Sequence, residues 1–141
     1  SPNRKVGTFQ WHVPNPNKLK SIYNIEQLIL EGLTREQVRD YLNAADVTLI
    51  TSFSEGSNTV LKESLASNTP VISVNIGDAK EILNRIDKRL ISSYNTESII
   101  NKIKSIFNEN LNIDYQKEIL YLDNKLIAQK IVNIYKSLLC Y

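Results

Sequence analysis

The chain has 141 residues, 42% hydrophobic and 23% charged, with a formal net charge of +2. A chain of this size buries roughly two thirds of its unfolded surface, so one globular domain with its own core is expected. Acidic and basic residues are mixed, no basic run or aromatic-interleaved basic patch occurs, and no apolar run nears the roughly 18–20 residues of a membrane span, which excludes nucleic acid as a partner and a membrane-crossing helix.

In chain order, Ser1-Pro2-Asn3-Arg4 is followed by no apolar stretch and does not read as a signal peptide. Residues 1–24, with Pro2, Pro14, Pro16 and several asparagines, read as an irregular or truncated first strand–helix unit. Val6 to Trp11 fits a strand there, and Lys18 to Tyr23 a short helix of poor periodicity. Ile25 to Leu30 reads as a strand ended by Glu31-Gly32. Thr34 opens a helix with Gln37 in capping-box spacing, and Val38, Tyr41, Leu42 and Ala45 fall on one face. Val47 to Thr51 is a buried-type strand. A helix from about Asn58 to Ser67 turns Val60, Leu61 and Leu65 inward, and Asn68-Thr69-Pro70 breaks it. Val71 to Val74 is the next strand, a short helix starts near Asp78, and Leu90-Ile91 fits an edge strand.

The last third, residues 93–141, is predicted to be helical. Ile99, Ile100, Ile103, Ile106 and Phe107 form one apolar stripe after the start signal Thr96-Glu97. Leu126, Ile127, Ile131, Ile134, Tyr135 and Leu138 form another. Residues 25–92 therefore carry the core strand–helix repeats of a single domain spanning 1–141. Their alternation is that of an α/β protein, a Rossmann-like, doubly wound parallel sheet flanked by helices, with a helical C-terminus. Such sheets bind ligands at the carboxyl ends of the strands, which directs attention to the loop Thr51 to Ser57.

That loop and the helix after it carry the chemistry. Gly56 permits a tight bend or the close approach of a ligand. Ser57 and Asn58 are favourable caps. The N–H groups of Asn58, Thr59 and Val60 would project from the helix start, an anion site reinforced by the helix dipole and suited to a diphosphate. Glu55 and Glu63 can flank one cavity and accept hydrogen bonds from sugar hydroxyls. The same residues also read as a capped helix with two solvated glutamates, and physical chemistry alone leaves both readings open. The one cysteine, Cys140, excludes a disulfide framework and a cysteine metal site, and fits a free thiol in a reducing, cytoplasmic compartment. The one histidine, His12, excludes a multi-histidine zinc site and reads as a surface or packed residue.

Glu55 and Glu63 have the E-x7-E spacing of retaining glycosyltransferases of the GT-B fold, family 4, and the flanking residues resemble that family in order. Thr34 to Val47 is similar to the helix and strand before its motif, Ser52 to Ser57 to its donor loop, Glu63 to Ser73 to the motif helix and next strand, Gly77 to Glu81 to the following turn, and Ile131 to Tyr135 to its closing helix. The resemblance is dense from about Ile25 to Ile82. It implies the C-terminal half of a GT-B fold, binding a nucleotide-diphosphate sugar for retaining transfer in polysaccharide or glycoconjugate synthesis. The amides of Thr59 and Val60 would hold the phosphates, with Gly56, Ser57 and Asn58 completing the donor loop. Glu63 would bond the ribose, and Glu55 would contact the sugar ring as the catalytic carboxylate. The base would lie near Leu33 and Arg35. No cofactor and no metal are expected, since the sequence has no Asp-x-Asp motif to hold one, and catalysis would rest on electrostatic stabilisation of the departing diphosphate.

Two departures from the family stand out. If Arg4 to Phe9 aligns with the family's first strand, Gly7 and Thr8 occupy the positions of its phosphate-neutralising lysine and the next residue, leaving Arg4 or Lys5 as substitutes. The acceptor-binding domain is also expected to be a separate, N-terminal part. The chain alone should then bind donor weakly and transfer nothing, and peripheral association of the full enzyme with the inner face of the membrane is expected. The alternatives are a non-catalytic nucleotide-sugar-binding or scaffold subunit of the same fold, a nucleotide-sugar epimerase, which would lean more on histidine and arginine, and a flavodoxin-like signalling domain, which would need an acidic cluster absent here.

Overall fold

The structure, a computed structural model, describes residues 4–8, 25–29, 32–109 and 111–139. Five strands, β1 (Arg4–Thr8), β2 (Ile25–Ile29), β3 (Val47–Ile50), β4 (Val71–Val74) and β5 (Ile91–Ser92), form one sheet in the spatial order β2-β1-β3-β4-β5. Every neighbouring pair is parallel. The helices are α1 (Arg35–Ala44), α2 (Thr59–Ala66), α3 (Ala79–Ile86), α4 (Thr96–Glu109), the four-residue α5 (Tyr115–Glu118) and α6 (Asn124–Leu139). Single 3-10 turns at Lys88–Leu90 and Leu120–Leu122 complete the order.

β3 and β4 are buried at every position, as parallel strands covered on both faces must be. Their side chains divide between two clusters. Leu49 and Ile72 meet Ile99, Ile100 and Ile103 of α4 on one face. Ile50 and Val71 meet Leu61 and Leu65 of α2, Leu83 of α3 and Tyr115 of α5 on the other. Burying a side chain such as Leu61, which is fully covered, contributes about 1.5–3 kcal/mol. A buried hydroxyl pair, Ser64 Oγ donating to Thr48 Oγ1 at 3.1 Å, ties α2 to β3.

The turn chemistry follows the sequence. Thr34 Oγ1 accepts from the Gln37 amide at 3.3 Å while Gln37 Oε1 accepts from the Thr34 amide at 2.9 Å, so the capping box at α1 is formed. α2 ends at Ala66, and just beyond it Asn68 takes the left-handed conformation (φ 58°) that asparagine tolerates, its Oδ1 accepting from the Tyr115 amide at 2.9 Å. Thr69 Oγ1 then donates to the Leu42 carbonyl at 2.7 Å, and Pro70 leads into β4.

Several expectations shift. β1 starts at Arg4 rather than Val6, and residues 9–11, the helix expected over Lys18 to Tyr23, His12 and Cys140 all lie outside the described residues. β3 ends at Ile50, one residue short of the expected strand. The edge strand covers Ile91–Ser92 because Leu90 is drawn into a 3-10 turn. On the expected inner face of α1 only Leu42 is buried, and Tyr41 is exposed. One residue along a helix is a rotation of about 100°, enough to carry Tyr41 from the sheet to solvent. The apolar stripe of α6 forms as expected, but α6 has no buried residue. Ile131, Ile134, Tyr135 and Leu138 all stand in solvent, Leu138 at 66% exposure.

Candidate functional site

The chain runs from β1 outward to β2, then back across β1 to β3, β4 and β5. The reversal falls between β1 and β3, and in open parallel sheets the carboxyl ends at such a reversal form the ligand crevice. The loop leaving β3 there is Thr51 to Asn58. Thr51 and Ser52 are still buried, Phe53 to Ser57 emerge, and Asn58 is buried again as the cap of α2.

This exposed loop is held at four points. Ser52 Oγ donates to Glu55 Oε1 at 2.8 Å, fixing the carboxylate over the strand end. Phe53 stacks on Tyr94 with ring centroids 4.7 Å apart, and the Tyr94 hydroxyl donates to the Thr51 carbonyl. Gly77, at φ 50° in the loop after β4, lies against the Gly56 carbonyl. Ser57 Oγ donates to Asp78 Oδ2 at 2.9 Å.

The amides at the start of α2 can be accounted for one by one. Asn58 N–H donates to Asp78 Oδ1 at 3.3 Å, and Leu61 N–H donates to Asn58 Oδ1 at 2.9 Å. The N–H groups of Thr59 and Val60, at the first two helical positions, have no intrahelical partner and no acceptor among the described residues. They border a depression of about 220 Å³ lined also by Ser52, Glu55, Ser57 and Asn58. Asp78 holds two of its lining residues, Ser57 and Asn58. Burial alone would raise its pKa, but hydrogen bonds from Lys62, Ser57 and the Asn58 amide outweigh burial and hold the carboxyl below its ordinary value. Lys62 Nζ is 2.8 Å from Asp78 Oδ2.

Glu63 points elsewhere. It lines a groove of about 460 Å³ together with Leu33, Arg35, Val38 and Arg39 of the α1 side. Glu55 and Glu63 therefore line separate depressions rather than one cavity. Arg4 and Lys5 open β1, whose register brings Thr8, not Arg4, beside Leu49 near the carboxyl end of β3. At about 3.3 Å per residue, the Arg4 backbone lies roughly 13 Å from that end.

The family model of group 1 glycosyl transferases matches residues 6–109, from β1 to the end of α4. The chain belongs to this family. It is also 35% identical over 76 residues to the protein of Bacillus subtilis (strain 168) named "Putative teichuronic acid biosynthesis glycosyltransferase TuaC", a match covering 54% of this chain and 20% of that protein's length.

For a group 1 glycosyltransferase domain, the structure thus gathers Glu55 to Val60 at one strand end and sets Glu63 in the neighbouring groove with Leu33 and Arg35. Of the residues that position the glycosyltransferase loop, Lys62 and Tyr94 carry no role in the sequence reading, and Ser52, Gly77 and Asp78 enter it only as parts of the donor loop and the turn after β4. Gly77 and Asp78 had a usable signal: they follow β4 at the same sheet edge, where the strand-end rule applies equally. Tyr94 had none, since its contact with Phe53 joins residues 41 apart in the chain.

Proposed function

We propose that this domain binds the nucleotide-diphosphate sugar of a retaining glycosyl transfer serving polysaccharide or glycoconjugate synthesis. The observation that carries the reading is the pair of open amides at Thr59 and Val60, facing a depression that also holds the anchored Glu55 carboxylate. The diphosphate takes the two amides at the positive end of α2. Glu55 receives the sugar hydroxyls. The ribose and base extend past Glu63 into the groove bounded by Leu33 and Arg35, whose volume suits a nucleoside. Because these donors are fixed before the ligand arrives, charge building on the leaving diphosphate meets stabilisation without reorganisation. No metal or cofactor takes part in this scheme.

Transfer needs an acceptor, and the matched relative is about five times the aligned length. The acceptor-binding domain is the occupant we propose for the bare apolar face of α6, and without it the chain binds donor weakly and transfers nothing. No helix among the described residues is long and apolar enough to cross a membrane. Any attachment to the inner membrane face is therefore proposed as peripheral.

Calorimetric titration with UDP-, GDP- and ADP-sugars tests the reading. Heat of binding with one nucleotide class, abolished in a Glu63→Ala variant that remains folded, is expected. Silence with all three supports the scaffold alternative instead, and sugar transfer by the isolated chain would refute its dependence on a second domain.

A further inference from the structure

Lys62 stands in the first turns of α2, where the positive helix end disfavours a cation. Helical side chains lean back towards the amino terminus, so its ammonium reaches the mouth of α2. There it touches Ser57 Oγ and lies 2.8 Å from Asp78 Oδ2, with both side chains about 30% exposed. Asp78 stands at the N-cap position of α3 yet makes no capping bond to its own helix. Its carboxylate turns instead to the start of α2 and accepts from the Ser57 hydroxyl, the Asn58 amide and Lys62. A hydroxyl, a helix-start amide and an ammonium form the donor set that phosphate oxygens take.

We infer that Lys62 supplies the cation for the donor's diphosphate, and that Asp78 holds the ammonium at the mouth of α2 until the phosphate shares it. The inference rests on the donor-site reading above. It answers a question that reading leaves open. Arg4 and Lys5 open β1 at the edge remote from the site, and Gly7 and Thr8 at its near end carry no charge. Ser57, which Lys62 touches, lines the depression with Glu55, Thr59 and Val60. Lys62 is a charge-neutralising residue in this scheme, its ammonium against Ser57, one of the residues that line the depression.

The test is calorimetry of the full chain with UDP, GDP and ADP and their monophosphates, at low and high salt. Lys62→Gln is expected to weaken the best-bound diphosphate about tenfold or more and to flatten its salt dependence. Monophosphate binding should stay within about twofold, because only the second phosphate is lost to Lys62. Lys62→Arg should retain most of the affinity. Asp78→Asn should keep or raise it, since the ammonium is released to the ligand. If Lys62→Gln binds diphosphate like the unmodified chain, the inference falls and the donor site stands. Loss in Asp78→Asn equal to that in Lys62→Gln also overturns it, making the pair a clasp between loops. If the unmodified chain binds none of the three nucleotides, the donor-site reading fails first and takes the inference with it.

Discussion

A methyl group added at Gly77 would lie 2.2 Å from the Gly56 carbonyl oxygen and 3.0 Å from that of Glu55, on a backbone at φ 50° that side chains rarely adopt. Backbone, not a flexible side chain, is in the way. Gly77→Ala is therefore expected to cost about 1–3 kcal/mol and to push the Glu55–Gly56 turn outward, weakening nucleotide binding. Denaturant unfolding with a parallel titration checks this; an unchanged midpoint would contradict the contact. Asp78 adds a pH dependence. Its folded pKa lies below the ordinary 3.8, so its contribution is complete above that value and is lost as pH falls through the folded one. Thermal melts between about pH 5 and 2 should show a steeper acid loss in the unmodified chain than in Asp78→Asn. The difference should be at most about 1 kcal/mol for a pair this exposed. Tyr115 is the opposite case. Its ring is packed in the core, but its hydroxyl is buried without a hydrogen-bond partner among the described residues. Tyr115→Phe removes that cost and should be neutral or stabilising by up to about 1 kcal/mol in the same unfolding measurement.

At the scale of elements, α2 is the best-specified piece of the sequence. Ser57 and Asn58 announce the cap, Leu61 and Leu65 fall on one face, and Asn68-Thr69-Pro70 ends it, all within fourteen residues. The structure puts the cap at Asn58 alone, with the Ser57 hydroxyl turned to Asp78, and keeps the buried face and the break. Asn58→Ala should cost about 1 kcal/mol by chemical denaturation, since it strips the acceptor from the Leu61 amide. Boundaries were less legible wherever a side chain intervened. Asp87 Oδ1 accepts from the Arg89 amide at 2.8 Å and winds Leu90 into a 3-10 turn, delaying β5 by one residue. Position within a helix misled at Tyr41, where a spacing compatible with burial meets a helix that buries only Leu42. The ion pair of Lys62 and Asp78 joins two separate strand–helix units, so no local pattern could announce it. The loop, its glutamates and the helix-start amides are legible in the sequence, but not that Asp78 takes the Asn58 amide and leaves those of Thr59 and Val60 open.

At the scale of the whole molecule, the alternation of strands and helices determined a parallel sheet, and the strand order then set where the crevice lies. The sequence could not say that β1 and β2 would extend the sheet on the far side of β3, because the stretch before Ile25 has weak periodicity. Nor could it say that the stripe on α6 would remain bare, since periodicity reports an apolar face and not what covers it. This exposure gives a clear expectation. Ile134→Lys and Leu138→Lys should change domain stability by no more than about 0.5 kcal/mol in thermal melts, because neither side chain packs on the sheet. They should weaken association with the acceptor-binding domain. A large loss of domain stability would show that α6 folds back on its own core.

The most direct test of the donor site is an amide NMR titration of the 141-residue chain with the nucleoside diphosphate that binds best. A diphosphate seated at the start of α2 predicts the largest shifts at Thr59 and Val60, with smaller ones at Gly56, Ser57, Leu33, Arg35 and Glu63. Binding that leaves Thr59 and Val60 unmoved, or that centres its shifts on α6, would contradict it.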